Sequence, residues 1–144
     1  MIVLETVHGL KQNIYFEEKP MTNWKYFSEL EMQCSHTGQC DMNPEFMDKL
    51  DTLRDLHGPL KISSGFRSVR HPIEAAKEKP GKHSRGIAAD ILCYGKEAHE
   101  LLKNIMKMGC FYGVGLKQSG EYSTRFIHVD IDGTPTNRPW IWTY

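Results

Sequence analysis

The sequence predicts an α+β domain, a small and largely antiparallel sheet with helices packed on one side. Three patterns carry that expectation. Segments 44–57 and 97–108 each repeat apolar residues at three- and four-residue spacing, which marks the buried stripe of a helix. Segment 126–131 alternates instead, with Ile127, Val129 and Ile131 turned to one face and Phe126, His128 and Asp130 to the other. Helices laid on a small sheet of this kind make an α+β fold, not a doubly wound one.

The elements follow in chain order. Residues 1–22 read as irregular chain or a short strand, punctuated by Pro20. The first helix starts at Pro44, where a missing N–H does no harm, behind Asn43 as its cap. Phe46, Leu50, Leu53 and Leu56, with Met47 beside them, form its apolar face, and Gly58-Pro59 stops it. Leu60–Ser64 reads as a short strand running into a turn at Gly65. From Arg67 to Arg85 no period survives, although residues 73–79 suit a turn of helix. Gly86–Tyr94 is an apolar strand that carries a single charge, Asp90. In the helix over 97–108, Ala98, Leu101, Leu102, Ile105 and Met106 make the buried stripe, and Gly109 closes it. Strands are expected at 113–116 and 125–131, separated by the polar turn QSGEYS. The tail from Pro135 to Tyr144 is rich in turn residues and ends in WIWTY.

At 144 residues the chain is expected to be one domain. Lys plus Arg and Asp plus Glu each number 18, so the formal charge is zero and no global positive field exists to grip nucleic acid. No run reaches the ~20 apolar residues of a membrane span. The apolar start, Met1–Leu10, has no basic leader, so a secretory signal is not expected. The four cysteines are then expected to be free thiols. Cys34 and Cys40 flank His36, but their spacing is wider than that of structural zinc pairs and no second pair stands nearby. Cys93 and Cys110 read as small buried hydrophobes.

The chemistry concentrates in KHSRGIAAD, residues 82–90, and RFIHVDID, residues 125–132. His83 lies in a loop among Gly and Ser, and Asp90 interrupts an apolar strand. A buried carboxylate needs a cation, strong hydrogen bonds or a metal. Gly86, Ala88 and Ala89 keep the intervening turn slim enough for His83 to fold back beside Asp90. The strand alternation puts His128 and Asp130 on a face where they could meet that pair. Two imidazoles and a carboxylate suit Zn²⁺ and leave a fourth position for water, with Asp130 free to orient a ligand or move a proton. Ordinary ion pairs are the competing explanation: Asp90 with Arg67 or Arg85, and Asp130 with Arg125 or Arg138. Spacing alone leaves both open, because no contiguous motif such as HExxH is present. The segment SSGFRS offers Arg67 on rigid backbone, suited to a carboxylate or a developing oxyanion.

Taken together, KISSGFRS, HPIEAAK, GKHSRGIAADI and RFIHVDI resemble the zinc D-Ala-D-Ala carboxypeptidase-type peptidases of peptidoglycan. That group includes phage endolysins and virion-associated peptidases, and its metal core is shared with the hedgehog signalling domain. The resemblance covers about residues 24–144. It implies Zn²⁺ held by His83, Asp90 and His128, Arg67 near the substrate carbonyl, and cell-wall stem peptides as substrate, cut by carboxypeptidase or endopeptidase action. With zero formal charge and no membrane-length apolar run, the chain is expected to be a monomer that neither binds nucleic acid nor inserts into membranes. The chain would be made in the cytoplasm of a host bacterium and act at the wall after release, or as part of a virion. The chain departs from the group at one position. Many members carry an acidic residue three positions before the strand histidine, as general base, and here that residue is Arg125. Asp130 is the expected substitute, since it shares a strand face with His128, and Glu121 in the flexible turn is the second choice. A zinc-stabilised binding or virion-structural module is the alternative function that this departure keeps in play.

Overall fold

The computed structural model describes residues 2–7, 10–15 and 24–144. Pro20 lies outside the described residues. Near the N-terminus, strands β1 (Ile2–Val7) and β2 (Leu10–Tyr15) pair antiparallel as a separate two-stranded sheet, more order than the sequence led us to expect. The remaining strands are β3 (Lys61–Ser64), β4 (Ala88–Leu92), β5 (Gly113–Lys117), β6 (Phe126–Asp130) and β7 (Trp140–Thr143). They form one sheet in the order β3-β4-β6-β5-β7, antiparallel throughout except for the parallel β5–β7 pair.

Two long helices, α2 (Pro44–His57) and α4 (Gly95–Met108), cover one face of this sheet, as the apolar stripes predict. Phe46, Met47, Leu50 and Leu53 from α2 meet Ala98, Leu101 and Ile105 from α4 over Ile91, Val114, Ile127 and Val129 of the sheet. Asn43 caps α2 by accepting a hydrogen bond from the Phe46 N–H at 3.0 Å. The stripes are narrower than expected, since Leu56 and Met106 stay exposed at the ends of their helices. No helix among the described residues is long and apolar enough to cross a membrane.

Two short helices, α1 (Glu29–Met32) and α3 (Pro72–Ala75), complete the set. The sequence reading passed over α1, although Ser28 and Glu31 form the reciprocal capping box that SELE encodes. It also took the tail for turns. Trp140–Thr143 forms a strand there because β5 offers it an open edge, a non-local partner that local propensity does not reveal.

The opposite face of the sheet positions the site. Paired residues in register share a face, and one row runs across all five strands: Ser64, Asp90, His128, Gly115 and Trp142. Gly115 makes that row possible. A Cβ there would lie 2.7 Å from the Trp142 ring, so only glycine lets the indole lean over the sheet onto the histidine.

Candidate metal centre

His83 comes from a short 3-10 turn, His83–Arg85, that ends at Gly86 with φ 71°. A Cβ at Gly86 would collide with the Asp41 carbonyl oxygen, so glycine is required both by the left-handed backbone and by the close approach. The turn is tied to the start of α2 by the Asn43 N–H, which donates to the Gly86 carbonyl at 2.9 Å. His83 Nδ1 donates to the Gly65 carbonyl at 2.8 Å. That bond fixes the tautomer and leaves Nε2 as the lone-pair nitrogen, 3.3 Å from Asp90 Oδ1.

Asp90 and His128 are directly opposite each other on β4 and β6, and His128 Nδ1 lies 2.9 Å from the same Asp90 oxygen. His83, Asp90 and His128 are all buried, and each offers a ligand atom within 4.8 Å of the others. Two imidazole nitrogens and a carboxylate oxygen match a three-ligand zinc set with one position left over. The cluster is therefore geometrically compatible with a zinc ion.

Charge at the cluster is strongly coupled. Burial pushes the Asp90 carboxyl up, but the hydrogen bond from His128 and the close approach of His83 outweigh it and hold Asp90 well below the usual carboxylate range. Burial lowers the His128 pKa, yet hydrogen bonds to Asp130 and Asp90 leave it raised overall.

Asp130 occupies a different place from the one expected of a proton carrier. Its side chain is fully buried behind His128, with Oδ2 2.8 Å from His128 Nε2. Its other oxygen accepts from Arg138 Nη1 at 2.8 Å and from the Asp132 N–H at 3.0 Å. Both oxygens are thus engaged, on the side of the imidazole away from Asp90. Glu121 stands exposed at the head of the short turn Tyr122–Thr124. Arg125 folds back to donate to the Gly120 carbonyl and lies over the Tyr122 ring.

A pocket of about 340 Å³ opens beside the cluster, lined by His83, Asp90 and His128 together with Arg67, Lys77, Lys82, Phe126, Trp142 and Tyr144. Asp130, Glu121 and Arg125 are not in its wall. Arg67 is held from three sides: Nε donates to Ser64 Oγ at 3.1 Å, Nη2 lies 3.5 Å from Asp90 and Nη1 3.8 Å from Glu74. The ion pairs weighed against a metal site are therefore present too, Arg67 with Asp90 and Arg138 with Asp130. They brace the cluster rather than replace it.

The sequence reading missed three contributors. Glu74 is a buried carboxylate that accepts from the Gly81 N–H at 3.0 Å and pairs with Lys77 at 2.9 Å, shaping the loop that delivers His83. Its signal was the isolated acid in HPIEAAK. Trp142 and Tyr144 reach the pocket only because β7 joins the sheet. Cys34, His36 and Cys40 form no metal cluster among the described residues, and all four cysteines are free. Burial pushes the Cys93 thiol up to about 11, the behaviour of an inert buried thiol.

Searches of the curated proteins and of the solved structures found no match for this chain. Comparison with protein families matches Peptidase M15 over residues 25–130, most of the chain and all of the His83/Asp90/His128 cluster. With that match and the buried His–Asp–His cluster, the chain belongs to the peptidase M15 family and is a zinc-dependent peptidoglycan peptidase.

Proposed function

We propose that His83 Nε2, Asp90 and His128 Nδ1 hold one Zn²⁺ and that the adjoining pocket receives a stem peptide for hydrolysis of one of its peptide bonds. The observation that carries this reading is the convergence of three buried ligand groups at the wall of an open pocket. A Zn²⁺ bound there would supply a Lewis acid for the scissile carbonyl and activate a water. The chain's own contribution is orientation and charge. His83 is locked in the ligating tautomer by Gly65, and Arg67, braced by Ser64 and Glu74, presents a fixed cation to a substrate carboxylate or a developing oxyanion. Asp130 takes the role of an orienting partner for His128, because it is fully buried behind the imidazole and outside the pocket wall, away from a substrate proton.

Arg67, Lys77 and Lys82 make the pocket wall rich in cations, which favours an anionic peptide. The phage setting, as an endolysin or a virion-borne peptidase acting at the host wall, rests on the resemblance of the four sequence segments. Purified peptidoglycan sacculi test the reading. The zinc-loaded chain should release soluble peptides, lose that activity to a chelator and regain it with zinc. His83→Ala, Asp90→Ala and His128→Ala should each abolish release and stoichiometric zinc. Full zinc content in all three variants would place the metal elsewhere, and mass analysis of the released peptides identifies the bond.

A further inference from the structure

The pocket wall contains a phenol hydroxyl, Tyr144, that no part of the reaction yet uses. Tyr144 follows β7, two residues beyond Trp142 and beyond the residues of the family match. Residues at i and i+2 of an extended segment share a face. Trp142 packs on the His128 ring at a centroid distance of 5.2 Å, and Tyr144 continues past it to meet the Phe126 ring edge-on, also at 5.2 Å. The Tyr144 N–H donates to the Leu116 carbonyl at 3.2 Å, which extends the β5–β7 pairing to this residue. Tyr144 thereby lines the same pocket as Arg67, His83, Asp90 and His128, and it feels the charges of Asp90 and Arg67.

We propose that the Tyr144 hydroxyl donates a hydrogen bond to the oxyanion that develops on the scissile carbonyl, acting with Arg67 as a second donor. The inference rests on the peptidase reading above. The chemistry requires only that the phenol stay protonated: its proton remains on the Tyr144 oxygen throughout, and no proton is transferred. Burial, followed by the negative charge of Asp90, pushes the Tyr144 pKa above its ordinary value, so the donor form persists at neutral pH. Trp142 is its positioning residue, since its ring packs between His128 and Tyr144.

The test compares the zinc-loaded full-length chain with Tyr144→Phe and Tyr144→Ala, using two probes. One is a soluble cell-wall peptide whose cleavage has been detected from sacculi, and the other is a phosphinate analogue of D-alanyl-D-alanine, which mimics the tetrahedral oxyanion. Loss of one oxyanion donor lowers rate by up to 10²–10³-fold, and on the order of 10- to 100-fold is expected for a donor on a partly exposed ring. Tyr144→Phe should therefore lose that factor in kcat and in phosphinate affinity, with KM within about twofold and with zinc content and Tm unchanged. A Phe variant matching the parent in both kcat and phosphinate affinity would overturn the proposal, and a loss confined to the Ala variant would assign the ring to packing alone. Phosphinate affinity needs no turnover, so it decides the role of Tyr144 even if the parent releases nothing from sacculi, the result that would sink the peptidase reading instead.

Discussion

His128 stands between two carboxylates, Asp90 at Nδ1 and Asp130 at Nε2, and much of the site's behaviour follows from that. Its raised pKa means that the chelated chain is stabilised by the imidazolium below the ordinary histidine value of 6.5 and loses that stability as pH rises through the folded value. Zinc held at Nδ1, as proposed, would have to displace its proton, so zinc affinity runs the other way. Calorimetric titrations should show zinc binding weakening by up to about tenfold per pH unit below the His128 pKa. Asp130→Asn leaves a side chain of the same shape but no charge facing Nε2. It should lower zinc affinity by about 10–100-fold while leaving the fold intact. Asp130→Ala should behave worse, because it strands the buried Arg138 guanidinium, a loss of about 3–5 kcal/mol in denaturant unfolding. Equal zinc affinity in parent and Asp130→Asn would show that the second carboxylate does not hold the ring.

At the scale of elements, the site depends on a turn fastened to a helix. The His83–Arg85 turn is held against the N-terminus of α2 through the Asn43–Gly86 hydrogen bond, and Asn43 also caps that helix. Gly86→Ala meets both a left-handed backbone and the Asp41 carbonyl. The backbone strain alone is about 1–3 kcal/mol, and relieving the collision must move His83 away from Asp90. Gly86→Ala should therefore lower Tm and zinc affinity together, whereas Asn43→Ala should lose about 1 kcal/mol of stability with little effect on zinc. Measuring both quantities on the two variants separates a cap from a hinge of the site; zinc affinity unchanged in Gly86→Ala would show that the turn tolerates displacement.

Across the whole molecule the sheet divides the labour. One face is apolar and packed by α2 and α4, and the other carries Asp90 and His128 of the candidate metal cluster. The three residues of the cluster come from separate elements, the 3-10 turn, β4 and β6. A metal that joins them binds the folded chain and not the unfolded one, so it stabilises the fold by mass action. Chelation should lower the thermal midpoint and added zinc should restore it, by about 2.7 kcal/mol when zinc is present at one hundred times its Kd. His83→Ala should erase that zinc dependence. Leu50→Ala, in the opposite layer, should destabilise the chain by about 2–5 kcal/mol while keeping the zinc-dependent increment.

Local pattern was enough for the two long helices, the alternation of β6 and the three residues of the buried His83/Asp90/His128 cluster, because each leaves a periodic or chemically isolated mark in the sequence. A charge inside an apolar strand, as at Asp90, is conspicuous whatever the fold. The part played by Asp130 was not legible in the same way. Strand alternation places it on the face of His128, but only the tertiary contacts with Arg138 and the Asp132 amide show that it is buried behind the imidazole and outside the pocket. β7 was hidden for a related reason: Trp140–Thr143 becomes a strand by pairing with β5, more than twenty residues earlier, and Gly115 then lets Trp142 reach the histidine. Sequence determined which chemistry the chain carries, since ligand type is a property of single side chains. Tertiary structure decided which nitrogens and which oxygens of these residues converge at the cluster, because that depends on hydrogen bonds between segments far apart in the chain.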